Sequence, residues 1–323
     1  MQFKPGLAAG STIYRMSLRS GWDTLMRNRM LNLWTLGGLS PSELLRRTAR
    51  ECWHDEVFGQ GGRMAFYHFL AIFPSLLIFF TIGARVPHLG DHMKNALQDL
   101  TRQLLPDQAS KLFQEIMDEL NDRKHASVPL ISVCAGALWA ALNGTWAMVY
   151  GLNKAYEVDE HRSWRELSLT IGGLTFFLGL VGSMAVFLVF CSAYLETRFH
   201  GGAMALRVLE WLVLAVSLSF SFAVLYRFAP NLRDCAWRWS TPGALCAVVL
   251  WITATFATRL YFGHVNNYSR SYGHLNGVVM LLLWLYASNG AILIGGEMNS
   301  EIEKNIAQGD ADSARQDRSR TRK

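Results

Sequence analysis

Six stretches of the chain contain no Asp, Glu, Lys or Arg: Met64–Ala84, His125–Asn153, Leu167–Leu195, Trp211–Tyr226, Trp239–Thr258 and Ser271–Gly296. About 20 apolar residues at 1.5 Å rise cross the hydrocarbon of a bilayer. Five of the windows reach that length. The fourth has only 16 residues and reaches it if Glu210 and Arg227 sit at the interface, their stems in lipid and their charges in water. Core helices of soluble proteins seldom run so long without a charge. The pattern predicts an all-α, polytopic membrane helical bundle of about six transmembrane helices, at about 64–86, 128–150, 168–195, 208–229, 241–262 and 274–296.

The segments around the windows have their own periodicity. Residues 1–62 form an N-terminal region in which Pro41-Ser42-Glu43 opens a helix, with Ser42 as its expected N-cap. Leu44, Leu45, Ala49, Cys52, Trp53 and Phe58 fall on one side of it and Arg46, Arg47, Arg50 and Glu51 largely on the other, as for a helix on a membrane surface. Gly59-Gln60-Gly61-Gly62 is expected to end that helix and turn the chain into the bilayer. Residues 87–127 form a loop with two amphipathic patches. Met93, Leu97, Leu100 and Leu104 make the first; Leu112, Phe113, Ile116, Met117 and Leu120 make the second, beyond Pro106. These predict two helices on the outer face or capping the bundle. The domain of six spans occupies 63–298, and 299–323 reads as a basic, disordered cytoplasmic tail. The first 60 residues carry no cleavable signal pattern, so the first span is expected to act as an uncleaved anchor.

Charge orients the spans. With the N-terminus inside, the inner segments 1–63, 151–167, 227–240 and 297–323 hold 21 of the 31 Lys and Arg residues. Five of the rest lie in the 87–127 loop beside seven acidic residues. Both termini are therefore expected in the cytoplasm, with the basic excess against an anionic leaflet. No aromatic residues interleave with a basic face in the manner of a nucleic-acid surface, so no nucleic-acid partner is expected.

The chain as a whole is 51% hydrophobic and 17% charged, against about 25% charged in soluble domains. Its five cysteines (Cys52, Cys134, Cys191, Cys235, Cys246) have neither pairing nor metal spacing and read as reduced thiols. Of the nine histidines, only His88 and His92, around Asp91, approach ligand spacing, and a solvated turn explains them better than a metal. No phosphate-binding loop Gly-x-x-x-x-Gly-Lys-Ser/Thr is present. No metal, no cofactor and no catalytic residue is expected, and the chain does not read as an enzyme. Transport would be passive or driven by an ion gradient.

Several short motifs recur in order: Ala65-Phe66-Tyr67-His68-Phe69-Leu70-Ala71-Ile72-Phe73-Pro74, Gly151-Leu152-Asn153-Lys154-Ala155-Tyr156, Ala229-Pro230-Asn231, Thr241-Pro242-Gly243-Ala244, Tyr268-Ser269-Arg270-Ser271-Tyr272-Gly273, Leu283-Trp284-Leu285-Tyr286 and Gly295-Gly296-Glu297-Met298-Asn299. In this sequence and spacing they resemble the YihY/BrkB family of bacterial inner-membrane proteins over about residues 45–305. The resemblance implies a six-span bundle in the bacterial cytoplasmic membrane. It does not imply one reaction: members carry virulence, serum-resistance or ribonuclease BN labels, and transport of small solutes or lipid-like molecules is attributed to others. A tRNA-processing metallonuclease needs clustered His and Asp, such as a His-x-His-x-Asp-His run, and this chain has none.

Polar residues at membrane depth are the candidate lining or gating groups, because each must find a partner. They are Tyr67, His68, Pro74, Asn143, Asn153, Tyr268, Arg270, Tyr272, Glu297 and Asn299. Each also has a structural reading. Pro74 removes a backbone hydrogen bond and favours a kink. Asn143 could bridge two helices. Tyr268 and Tyr272 could anchor at the interface, and Glu297 could pair with Arg63, Arg162 or Arg233. Two stripes, Gly136/Ala140/Asn143/Ala147/Gly151 and Gly277/Trp284/Ser288/Ala291/Gly295, mark helix faces expected to point into the bundle. The favoured reading is a transporter of a small solute or lipid-like amphiphile, with membrane lipids as partners. The alternative is a membrane scaffold for envelope integrity or virulence.

Overall fold

A computed structural model describes residues 34–83, 95, 97–99, 101–102, 105, 107–122, 130–198, 203–232, 241–264 and 275–321. The described residues form a helical bundle without strands. A 3-10 turn, Leu36–Gly38, precedes eight α-helices: α1 Pro41–His54, α2 Val57–Gly83, α3 Asp107–Asp122, α4 Leu130–Ala155, α5 Trp164–Arg198, α6 Ala203–Phe228, α7 Pro242–His264 and α8 Leu275–Thr321. Six of them, α2 and α4 to α8, coincide with the six charge-free windows. Segments of α4, α5, α7 and α8 are long and apolar enough to cross a membrane, and α6 contains a shorter apolar run, Leu212–Phe228.

α8 is the central post. It packs against α1, α2, α3, α4 and α7, whereas α5 touches chiefly α4 and α6. The reason is written in small residues. Gly243 of α7 and Gly295 of α8 cross so closely that a Cβ on either would meet the other's backbone carbonyl. Ala291 and Ser288 continue the buried face of α8, and Trp284 Nε1 donates to Thr255 Oγ1 of α7 at 3.1 Å. The α8 stripe thus faces the interior, as its spacing predicts. On α4, Ala140 and Ala147 are likewise buried. α5 is the opposite case. Leu169, Phe176, Leu180, Met184 and Phe187 are all exposed, which places its apolar surface against lipid.

Three expectations about the first and last segments need correction. The N-cap of α1 is Ser40, whose Oγ accepts from Glu43 N at 3.3 Å; Ser42 is already helical. Gly59-Gln60-Gly61-Gly62 does not turn the chain. The break falls earlier, at Asp55-Glu56, where Glu56 takes a left-handed φ of 53°. The glycines lie inside α2 and serve close packing: a Cβ on Gly61 would stand 3.4 Å from Gly290 N of α8. Finally, the tail after residue 298 continues α8 as helix to Thr321. Its first turns are anchored: Ile302 is fully buried against Leu44, Asn305 Nδ2 donates to Gly37 O at 2.8 Å, and Lys304 Nζ reaches Glu157 at 2.9 Å and Glu301 at 3.0 Å. High charge hid a segment of good helix formers.

α1 divides its apolar residues between two neighbours. Leu44 and Cys52 are buried, Leu44 against Ile302 of α8, while Leu45 and Trp53 stay exposed; Phe58, also exposed, belongs to α2. In the 87–127 loop, the second patch is α3, which buries Ala109, Phe113 and Met117 in a cluster with Met280, Leu281 and Leu285 of α8 and so caps the bundle. Most of the first patch lies outside the described residues.

Candidate functional site

The polar residues of the bundle gather at one end, where α1 meets α2, α4 ends, α7 begins and α8 passes. Asn153, 7% exposed at the end of α4, donates through Nδ2 to Glu160 Oε2 at 2.9 Å and accepts through Oδ1 from Asn231 N at 2.8 Å. Arg162 grips Glu160 at 2.5 Å and donates to Ala229 O at 2.9 Å. Asn231 Nδ2 closes the ring on Asp159 O at 2.9 Å. This clasp ties the α4–α5 loop to the end of α6. The hydrogen bonds from Arg162, with a lesser one from Asn153, hold the Glu160 carboxyl down at about 2.

Asn299, 1% exposed, caps the neighbouring helix. Its Oδ1 accepts from Gly243 N at 2.9 Å and its Nδ2 donates to Thr241 Oγ1 at 2.9 Å, satisfying orphan groups at the start of α7. Tyr226 of α6 donates to Ile292 O of α8 at 2.6 Å, about two turns before Asn299. Asn153 and Asn299 are therefore the fasteners that bring α4, α6, α7 and α8 together.

Glu297 is different. It is fully buried, yet neither carboxyl oxygen has a hydrogen-bond partner. Of the expected arginines, neither Arg63 nor Arg162 pairs with it. Arg162 is committed to Glu160, and the Arg63 guanidinium stacks over the rings of Trp146 at 5.2 Å and Tyr150 at 4.5 Å. Arg233 lies outside the described residues. What faces Glu297 is Asp55, 6% exposed, in the turn between α1 and α2, and Asp55 Oδ2 is also without a partner. Nearby, burial pushes the Cys52 thiol up to about 12, with the Glu297 and Asp55 carboxyls adding to the effect.

The remaining candidates are dispersed. Tyr67 packs edge-on against Phe66 and Trp139. His68 lies against Gly144 of α4, where a Cβ would come within 2.9 Å of its ring, and faces Asn289 of α8. Among the described residues Asn143 makes no bond to another helix; its Nδ2 donates to Trp139 O of its own helix at 2.7 Å. α2 runs on through Pro74, which is half-buried. Tyr268, Arg270 and Tyr272 lie outside the described residues. Sequence reasoning missed Asp55 altogether, because it sits in a segment read as a surface helix. The only signal was its place just before the glycine-rich run that enters the bundle.

A second feature is a cleft of about 310 Å³ between α5, α6 and α7, with Met148 of α4 and Ile292 of α8 at its floor. Leu178, Val181 and Ala185 form one wall; Leu214, Leu218 and Phe222 form another. Its two hydroxyls belong to Ser217 and Ser221, and Ser221 Oγ spends its proton on Ser217 O at 2.7 Å within α6. The glycines of α5 face openness: Gly172, Gly173, Gly179 and Gly182 have nothing within 4 Å of a built Cβ.

A bundle with one lipid-facing flank, a small-residue spine and polar fasteners at one end defines the class: a multi-pass helical membrane protein. The chain belongs to the family described as Virulence factor BrkB, which it matches over residues 48–320. It is 31% identical over 252 residues to the ribonuclease-like protein YfkH of Bacillus subtilis, covering 76% of this chain and 90% of that one. It is 28% identical over 261 residues to a UPF0761 membrane protein of Psychromonas ingrahamii, covering 79% and 85%. A UPF0761 membrane protein of Tolumonas auensis is 24% identical over 263 residues, covering 78% and 83%. No solved structure matches. These relatives and the apolar helices make the chain a multi-pass bacterial membrane protein. Among the described residues, no three of His, Cys, Asp and Glu converge as a metal site; His88, Asp91 and His92 lie outside them.

Proposed function

We propose that this protein is a non-enzymatic transporter of a lipid-like amphiphile in the bacterial inner membrane, with six spans and both termini in the cytoplasm. The cleft between α5, α6 and α7 carries the reading. Its volume is that of a small ligand pocket, but its walls offer no free polar group. It is bounded by α5, whose outer surface is exposed and apolar. Such a cleft suits an acyl chain that slides in from the bilayer, with no desolvation of polar atoms. The polar end of the bundle then stands where a headgroup would pass. Residues 63–298 supply the six spans, and the aromatic and basic groups of α1, among them Trp53 and Arg50, lie at the inner interface. Among the described residues, no clustered metal-ligand set stands behind the ribonuclease wording attached to the Bacillus relative.

The test is flip of a fluorescent phospholipid in proteoliposomes, read by dithionite bleaching of the outer leaflet. The wild type is expected to expose inner-leaflet probe faster than protein-free vesicles. Gly182→Phe, at a cleft position with free space around it, is expected to slow that exposure while the helical content stays unchanged. Flux equal to empty vesicles across a panel of lipids and small solutes would refute transport and leave the scaffold role. Flux unaffected by Gly182→Phe would move the path away from the cleft.

A further inference from the structure

Buried carboxyl groups are normally paired, because an unpaired ion away from water costs several kcal/mol. The end of the bundle breaks that rule twice at one point. Glu297 is 0% exposed with both oxygens unpartnered, and Asp55, 6% exposed, faces it with Oδ2 unpartnered. Two carboxylates that face each other away from water cannot both be ions; one proton held between them supplies the missing donor and removes one charge. The other oxygen of Asp55, Oδ1, has a partner: His54 Nδ1 at 3.1 Å. His54 is 80% exposed in its side chain. A chain of proton-bearing groups therefore leads from water to the interior by way of the exposed imidazole.

We propose that His54, Asp55 and Glu297 form a proton relay that ends in a proton-sharing carboxyl pair inside the bundle. The proton enters on His54 and passes from Nδ1 to Asp55 Oδ1; rotation of the Asp55 carboxyl turns the protonated oxygen toward Glu297, where the two groups share it, and His54 takes another proton from water. The surroundings favour retention of a single proton. From α1, Glu51 and Cys52 face the pair; from α8, Lys304 is a cation that acts on Glu297. Lys304 is itself engaged by Glu157 and Glu301. Cys246 of α7 borders Cys52, Tyr226 of α6 is committed to Ile292 O, and Lys154 of α4 faces the exposed Glu56 at 3.5 Å. The pair joins two elements of the bundle. Asp55 lies beside the left-handed Glu56, the joint between α1 and α2, and Glu297 lies on the central post. With the proton present, a hydrogen bond holds the joint on α8; without it, two like charges push the joint away.

The relay does not depend on the cleft or on any substrate, and its test needs no flux. Infrared spectra of the full chain in phosphatidylethanolamine–phosphatidylglycerol vesicles at neutral pH should show the carbonyl stretch of a protonated carboxyl. That band should shift in deuterated water, disappear in Glu297→Gln and move in frequency in Asp55→Asn. Both variants are isosteric, and helical content by circular dichroism checks that they fold. Should either fail to fold, the wild-type band decides alone: it must be present at neutral pH and vanish on alkaline titration in a single step. In His54→Ala the band should persist and its deuterium exchange should slow by about tenfold or more, a proximity effect equal to about 1.4 kcal/mol. Absence of a protonated-carboxyl band from the folded wild type would overturn the proposal, as would its persistence in folded Glu297→Gln. A band that appears only when sodium is removed would replace the shared proton with a cation and equally overturn it.

Discussion

The crossing of α7 and α8 and the flank formed by α5 and α6 are built from the same kinds of residue, with opposite results. Both are rich in glycine and leucine. At the crossing, Gly243 and Gly295 touch backbone to backbone, Asn299 caps α7, and Tyr226 fastens α6 to α8. On the flank, the four glycines of α5 touch nothing, and a cleft opens between α5, α6 and α7. Lipid tails are as apolar as leucine, so a membrane helix is held by close approach and hydrogen bonds rather than by hydrophobicity. A glycine without a facing partner does not bind a helix. It leaves a gap, as at Gly182 on the cleft wall.

The sharpest way to break this contrast is to add one methyl group to each side. Gly295→Ala drives a Cβ into Gly243 O, the Tyr226 hydroxyl and the Ala247 side chain. It should destabilise the protein by about 1–3 kcal/mol or prevent folding, as overpacking of a close interface does. Gly179→Ala meets nothing and should be neutral or stabilising by up to about 1 kcal/mol, because alanine is the better helix former. Thermal unfolding in detergent, followed by circular dichroism, measures both. Equal effects at the two positions would show that the crossing is no tighter than the flank.

A smaller effect separates the fasteners from the spine. Asn299→Ala strips Gly243 N of its acceptor and Thr241 Oγ1 of one of its two donors, the other being Ala244 N, while leaving the glycine crossing in place. The loss should be about 0.5–2 kcal/mol, the usual weight of a helix cap. Asn299→Asp keeps the acceptor for Gly243 N and loses only the bond to Thr241, so it should restore part of the stability. No difference between the two variants would remove the cap from the account.

Much of this was legible in the chain and some was not, for physical reasons. Charge-free windows located the six long helices, because no charge is tolerated where lipid surrounds a helix. The stripe on α8 announced the crossing, because small residues at helical spacing have few other uses in a membrane. The glycines at 59–62 misled, since glycine serves a turn and a tight helix contact equally well and only the facing Gly290 distinguishes them. The continuation of α8 past Asn299 was hidden by its charges, although Ile302 and Asn305 had partners waiting in Leu44 and Gly37. Asn153 and Asn299 stood out as polar groups in apolar surroundings, but their tasks depended on Asn231 and Gly243, which are 78 and 56 residues away in the chain. Pairings of that range leave no local pattern.

The smallest expected effect belongs to the clasp around Glu160, which ties the α4–α5 loop to the end of α6. The Glu160 carboxyl is held at about 2 by Arg162 and Asn153, below its ordinary value near 4.5. A depressed carboxylate adds stability above its unfolded value and loses it as the pH falls through the folded one. Wild type should therefore exceed Glu160→Gln in melting temperature at neutral pH. The gap should narrow as the pH drops from about 4.5 toward 2 and close below that. The carboxylate is only partly sheltered, so the gap should also shrink in high salt. Asn153→Ala should reduce it too, by freeing both Glu160 and Asn231. If the gap persisted at a pH below 2, the glutamate would be acting through its shape rather than its charge, and the clasp would be packing like the glycine crossing rather than an electrostatic tie.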